Sequence, residues 1–149
     1  MHAIGFDIVR YRPPSDPGSL PPDLAAEDRA ILERLAGFTM TSVERQAALV
    51  QAVRYLVRQG IAGCFVECGV WRGGSSMAVA LTLAQEGETI RDLYLYDTFK
   101  GMTPPTTVDR TADGTSAQTH LDRDVNKTGY WCVAGIDDVR QNMASTGYP

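Results

Sequence analysis

Apolar residues in this chain change their period several times, and each change marks an element. Val43, Ala47, Val50, Val53 and Val57 recur at helical spacing, with Arg45, Arg54 and Arg58 on the more solvent-facing positions. Ahead of them Thr41-Ser42-Val43-Glu44 reads as a capping box, in which the Thr41 hydroxyl accepts a backbone hydrogen bond and Glu44 answers it; Gly60 supplies the stop. An earlier helix is predicted from Leu24, capped by Asp23 and ended by Gly37, with Leu24, Ile31 and Leu35 on one face. Before it, Ile4, Phe6 and Ile8 give only a short extended segment, and the prolines between positions 12 and 22 make a loop or arm.

The period then shortens. Residues 63–68 form a β-rich run, the first expected central strand. Residues 75–85 follow as a helix whose unbroken run Met77-Ala78-Val79-Ala80-Leu81 suits the covering of a sheet. Around Leu93-Tyr94-Leu95-Tyr96, residues 91–97 read as a second, parallel strand, so that the three make a βαβ unit. From position 98 to 129 the chain is rich in Thr, Asp, Pro and Gly, which predicts a long loop with a short helix near 117–122; a further helix is expected over 137–143. The fold class is therefore α/β with N-terminal helical segments. Residues 1–38 form an arm and packing helix, and residues 39–149 the N-terminal portion of the main domain. Only two strong strands are expected where sheets average about five or six, so the chain reads as the first half of such a domain.

Composition narrows the partners. With 149 residues, 44% hydrophobic and 21% charged, the chain is long enough for one globular domain with a core. A net charge of -4 offers no broad positive field for nucleic acid. Cys64, Cys68 and Cys132 cannot all pair within one chain; Cys64 and Cys68 fall in the expected buried strand and read as small packed side chains in a reduced setting. Arg10 and Arg12 near the N-terminus are followed by no apolar h-region, the longest apolar stretch is far short of a membrane span, and the expectation is a soluble cytoplasmic protein.

The candidate chemistry lies where the first strand passes into its helix, at Glu67-Cys68-Gly69-Val70-Trp71-Arg72-Gly73-Gly74-Ser75. Against the Gly-x-Gly-x-x-Gly dinucleotide pattern, Glu67 holds the first position and Arg72 the third. A diphosphate would meet a carboxylate there, which argues against NAD and FAD. S-adenosylmethionine has a sulfonium and an ammonium and no phosphate. Glu67 can attract its amino end, Gly69 and Gly73 allow close approach, and N–H groups near Ser75 can receive its carboxylate. Asp97 ends the next strand 24 residues after Gly73, near the spacing of roughly 20 at which a carboxylate accepts both ribose hydroxyls. Phe99 suits either the border of the adenine or packing beneath the loop. Trp71 suits either a site entrance or packing between helix and sheet, and Arg72 either orients neighbouring loops or, the favoured reading, faces water.

Three segments carry a family likeness: Thr39-Met40-Thr41-Ser42 with Glu44-Arg45, the run from Phe65 to Met77, and Tyr96-Asp97-Thr98-Phe99-Lys100-Gly101-Met102, with a weaker continuation through Trp131, Val139 to Met143 and Gly147-Tyr148-Pro149. In these the chain resembles the macrocin O-methyltransferase, or TylF-like, family of class I S-adenosylmethionine-dependent sugar methyltransferases. The resemblance implies a Rossmann-like class I methyltransferase fold with Met40 and Thr41 near the cofactor. It implies that Glu67, Gly69, Val70, Trp71, Gly73 and Ser75 surround the methionyl part, and that Asp97, with Thr98 and Phe99 beside it, meets the ribose. It also implies methylation of a deoxysugar hydroxyl on a macrolide-like or related natural product, with magnesium assistance.

The aspartate-rich motif that supplies the metal ligands and base in relatives is not among these 149 residues, so no catalytic residue and no metal ligand is assigned. Asp109, Asp113, Asp122, Asp124, Asp137 and Asp138 lack a calcium-loop pattern, and His120 reads as a surface histidine rather than a base. Two other readings of function stand beside the methyltransferase: a noncatalytic module that assembles through an exposed sheet edge, self-association included, and an NAD-dependent oxidoreductase.

Overall fold

The structure is a computed structural model that describes residues 20, 21, 24–123 and 131–149. The expected N-terminal extended segment, most of the proline arm, the Asp23 cap and Asp124 lie outside the described residues. Helices α1 (Ala26–Arg34) and α2 (Val43–Arg58) precede β1 (Phe65–Cys68), α3 (Gly74–Gln85) and β2 (Leu93–Tyr96). Helices α4 (Ala117–Arg123) and α5 (Ile136–Ala144) follow. The two strands pair in parallel, Phe65 opposite Leu93 and Cys68 opposite Tyr96, with α3 as the crossover expected from the sequence.

The apolar character of α3 dictates the layering. It is buried from Gly74 to Leu83 apart from half-buried Ser75, and a helix apolar on all sides has to be covered on all sides. Ile31, Leu32, Leu35 and Val50 pack on Met77, Ala78 and Leu81, joined by Met143 of α5. Val53, Val79 and Leu83 form a second cluster against Phe65 and Leu93 of the sheet. Each such side chain removed from water contributes roughly 1.5–3 kcal/mol before its entropy loss.

Local starts differ from expectation by one or two residues. Ala25 is the N-cap of α1, and Leu24 packs against the core instead of opening the helix. Ser42, not Thr41, is the N-cap of α2, and no side chain caps it. The reason is local: the Thr41 N–H donates to Thr39 Oγ1, and its carbonyl accepts from the Gln46 side-chain amide at 2.6 Å.

Arg54 overturns the solvent-facing expectation. It is 6% exposed, with Nη1 on the Asp28 carboxylate, Nε 2.9 Å from Glu86 and Nη2 3.0 Å from Gln85 Oε1. Gln51 donates to the other Asp28 oxygen. Burying such ions costs several kcal/mol each, and here ion pairing offsets it although Asp28 Oδ1 and Arg54 Nε make no hydrogen bond; the cluster ties together α1, α2 and the end of α3. Arg58 is exposed as expected and bidentate on Glu86.

Cys64 and Cys68 are exposed and Cys132 is half-buried, and no disulfide joins them. The expectation of packed cysteines fails because one face of the sheet has no covering layer among the described residues.

Candidate cofactor site

The turn between β1 and α3 is built on left-handed backbone. Gly69 has φ 85°, Gly73 φ 88° and Trp71 φ 49°. Glycine adopts this at no steric cost, whereas Trp71 is strained by about 1 kcal/mol or more. The Gly69 N–H extends the ladder to the Tyr96 carbonyl at 2.9 Å, and the Gly73 N–H closes the turn on the Val70 carbonyl at 2.9 Å. Gly74 answers a different need. Its N–H donates to the Phe38 carbonyl at 3.0 Å, and a Cβ there would lie 2.5 Å from that same oxygen.

Asp97 is the brace of the turn. Its Oδ2 accepts the N–H groups of Val70 at 2.7 Å and Trp71 at 3.0 Å, and its Oδ1 accepts that of Phe99 at 2.9 Å. Burial pushes its carboxyl up, but the amides of Phe99, Trp71 and Val70 outweigh burial and hold it below the ordinary carboxylate range. Phe99 is itself left-handed at φ 54°, so two of the three non-glycine residues with positive φ among the described residues donate to this one side chain.

Opposite the brace, the start of α3 is open. No side chain caps it, its first turn holds no acid, and no described group accepts the Ser75 or Ser76 N–H. Such a helix start favours an anion. Glu67 turns toward the same helix, its Oε2 accepting the Ser76 hydroxyl at 2.5 Å. A cleft of about 290 Å³ brings Glu67, Cys68, Ser75 and Ser76 together over a floor of Leu49, Phe65 and Val79.

The macrocin-O-methyltransferase (TylF) family profile matches residues 24–144, most of the chain. This chain belongs to the TylF family. It is 39% identical over 64 residues to the 8-demethyl-8-(2,3-dimethoxy-alpha-L-rhamnosyl)-tetracenomycin-C 4'-O-methyltransferase of Streptomyces olivaceus, a match over 43% of this chain and 24% of that one. It also superposes on the O-methyltransferase NovP with a TM-score of 0.56 and 25% identity, covering 74% of this chain and 43% of NovP. The chain thus spans less than half the length of either relative. The fold is accordingly a partial Rossmann-like arrangement of the class I methyltransferase kind.

In this TylF-family chain the remaining predicted residues are spread around the turn. Met40 is 57% exposed and Thr41 half-buried, on the connection whose Phe38 carbonyl meets Gly74. The Thr98 hydroxyl donates to the Gly101 carbonyl at 3.1 Å, and Phe99 is half-buried. Trp71 is half-buried and its indole Nε1 is a buried donor with no partner among the described residues, a state that costs about 1–3 kcal/mol.

Arg72 is half-buried, with its head group tied to neighbouring segments. Its Nη1 donates to the Gly37 carbonyl at 2.7 Å, its Nε to Asp138 at 3.1 Å, and its guanidinium lies 4.9 Å from the Phe38 ring centroid. Asn142 donates to the Arg72 carbonyl at 2.9 Å. The contacts of Ser76, Asp138 and Asn142 with Glu67 and Arg72 were invisible in the sequence, since the partners lie 9, 66 and 70 positions away. The doubled Gly73-Gly74 was the one local signal of the close backbone approach.

Among the described residues no group of three or more His, Cys, Asp or Glu is placed to hold a metal, and no helix is long and apolar enough to cross a membrane.

Proposed function

We propose that this TylF-family chain carries the S-adenosylmethionine-binding part of an O-methyltransferase that acts on a sugar hydroxyl of a glycosylated natural product. The observation that carries the reading is the strained turn, braced by Asp97, next to an uncapped helix start. The cofactor's chemistry fits these residues: Ser75 and Ser76 amides for its carboxylate, Glu67 for its ammonium, and the partnerless Trp71 indole as a further donor. Ribose recognition by Asp97 shares a carboxylate that already accepts the Val70 and Trp71 amides on Oδ2 and the Phe99 amide on Oδ1. Met40 and Thr41 stand on the connection that Arg72 and Gly74 fasten to the turn, within the reading that they line the cofactor.

Bound there, S-adenosylmethionine supplies an electrophilic methyl group to an attacking hydroxyl oxygen. The sugar acceptor is carried over from the rhamnosyl substrate for which the Streptomyces olivaceus relative is named. Magnesium belongs to the family reading, but the described residues offer it no ligand set, and no step is assigned to it.

Isothermal titration of the 149-residue chain with S-adenosylhomocysteine tests the reading. Saturable binding near one ligand per chain is expected, with no comparable binding of NADH. A folded chain that ignores S-adenosylhomocysteine, or prefers NADH, would sink it.

A further inference from the structure

Two hydroxyls are buried in α3, and they are satisfied in different ways. Ser76 is 4% exposed and Thr82 is 0% exposed. The Thr82 hydroxyl donates to the Ala78 carbonyl at 2.7 Å, one turn back in its own helix, and needs nothing from the rest of the fold. Ser76 lies in the first turn of α3, where no helix carbonyl stands one turn back. The residue four positions before it is Arg72, ahead of the helix, and the Arg72 carbonyl accepts Asn142 Nδ2 at 2.9 Å. The Ser76 hydroxyl instead leaves the helix and donates to Glu67 Oε2 at 2.5 Å.

That contact gives Glu67 a fixed orientation. Oε2 is held by Ser76, whereas Oε1 has no hydrogen-bond partner among the described residues and is open to solvent. Among the described residues that line the cleft, Glu67 is the sole charge, set beside Ser75 and Ser76 over apolar Leu49, Phe65 and Val79. A cationic group entering the cleft therefore meets one ionic partner, and one oxygen of that partner is free. An unheld glutamate loses rotamer freedom when it grips a ligand, and a glutamate already fixed by a buried hydroxyl does not. The bond from Ser76 is also of the charge-assisted kind, which favours a carboxylate that stays ionised.

We infer that Ser76 is a positioning residue for ammonium recognition: its hydroxyl fixes Oε2 of Glu67 so that Oε1 is presented to a primary ammonium in the cleft. This rests on the S-adenosylmethionine reading above for the ligand. It gives the Ser76 side chain a task distinct from that of the Ser76 amide, which is offered to the ligand's carboxylate. The consequence is selectivity, because the pair favours ligands with an amino-acid end over nucleosides that lack one.

The test is isothermal titration of the full 149-residue chain with S-adenosylhomocysteine, which carries the ammonium, and with 5′-methylthioadenosine, a nucleoside thioether without the amino-acid end. Ser76→Ala should fold, since alanine is the better helix former. It should bind S-adenosylhomocysteine about ten-fold more weakly and leave 5′-methylthioadenosine unchanged. Ser76→Cys, close in size but a weak donor, should behave in the same way. In a Glu67→Ala background, Ser76→Ala should weaken S-adenosylhomocysteine by less than about two-fold, because the group it positions is gone.

Equal weakening of both ligands, an unchanged S-adenosylhomocysteine affinity in the folded Ser76 variants, or the full loss persisting in the Glu67→Ala background would overturn the inference while the cofactor reading stands. A wild-type chain that binds neither ligand would remove the cofactor reading and the inference together.

Discussion

The two faces of the β1–β2 sheet differ although their residues alternate one by one. Phe65 and Leu93 pack on Val79 and Leu83, and Glu67 reaches Ser76, so the inner face is tied into the helical layer. One position along, Val66 is 59% exposed and Tyr96 60% exposed. The same backbone and the same β-prone side chains thus contribute very differently to stability. What decides is whether a second layer meets them, because apolar area counts only when it is removed from water.

The strongest way to break the covered side is to strip its buried charge cluster. Arg54→Ala leaves Asp28 buried without its cation, and urea unfolding should show a loss of about 3–5 kcal/mol. An unchanged midpoint would show that the cluster is incidental. Leu83→Ala, at 0% exposure between α2 and the sheet, should cost about 2–5 kcal/mol by the same measurement.

Asp97→Asn acts between the faces, on the turn itself. It replaces a charged acceptor of three amides, so S-adenosylhomocysteine affinity should fall about ten-fold, roughly 1.4 kcal/mol, with little change in the helical core. Calorimetry giving equal affinity in a folded variant would remove Asp97 from the site. Its pH dependence has a fixed sign. A carboxyl held below its ordinary value near 3.8 stabilises the fold fully above that value, and the contribution is lost as pH falls through the lower folded value. Amide shifts of Val70, Trp71 and Phe99 should therefore stay constant at neutral pH and move together only below about pH 4. Coupled movement near pH 6 would point to another group.

The smallest effect belongs to the bare face. Val66→Thr should change stability by no more than about 0.5 kcal/mol, as for ordinary surface positions. A loss comparable to that of Leu83→Ala would mean that this face is covered in solution, and the comparison between the faces would collapse.

Much of this was legible beforehand because it depends on local periodicity. The parallel βαβ unit, the short helix at α4 and the helix at α5 follow from alternation, apolar runs and breakers within windows of about ten residues. The place of Asp97 beside the turn was legible as a spacing, but the three backbone amides its carboxylate holds were not, because they come from residues brought beside it by the fold. Arg54 was read as surface from its helical position and charge, and Arg72, on the turn, was favoured as facing water on its charge alone. Both are claimed by acids and carbonyls that fold in from distant segments. Helix starts slipped by a residue or two because Thr41 had alternative local partners at Thr39 and Gln46, which a capping pattern does not rank.

By itself the sequence determined the order and type of the elements, the position of the glycine turn and its family, since each is written in the spacing of neighbouring residues. Tertiary structure alone decided which strand face was covered, which arginines were buried, that Gly74 had to admit the Phe38 carbonyl, and that Asp138 and Asn142 of α5 met Arg72. Those outcomes depend on contacts between residues far apart in the chain. Burial and pairing energies arise only when the segments meet, and no local pattern encodes that meeting.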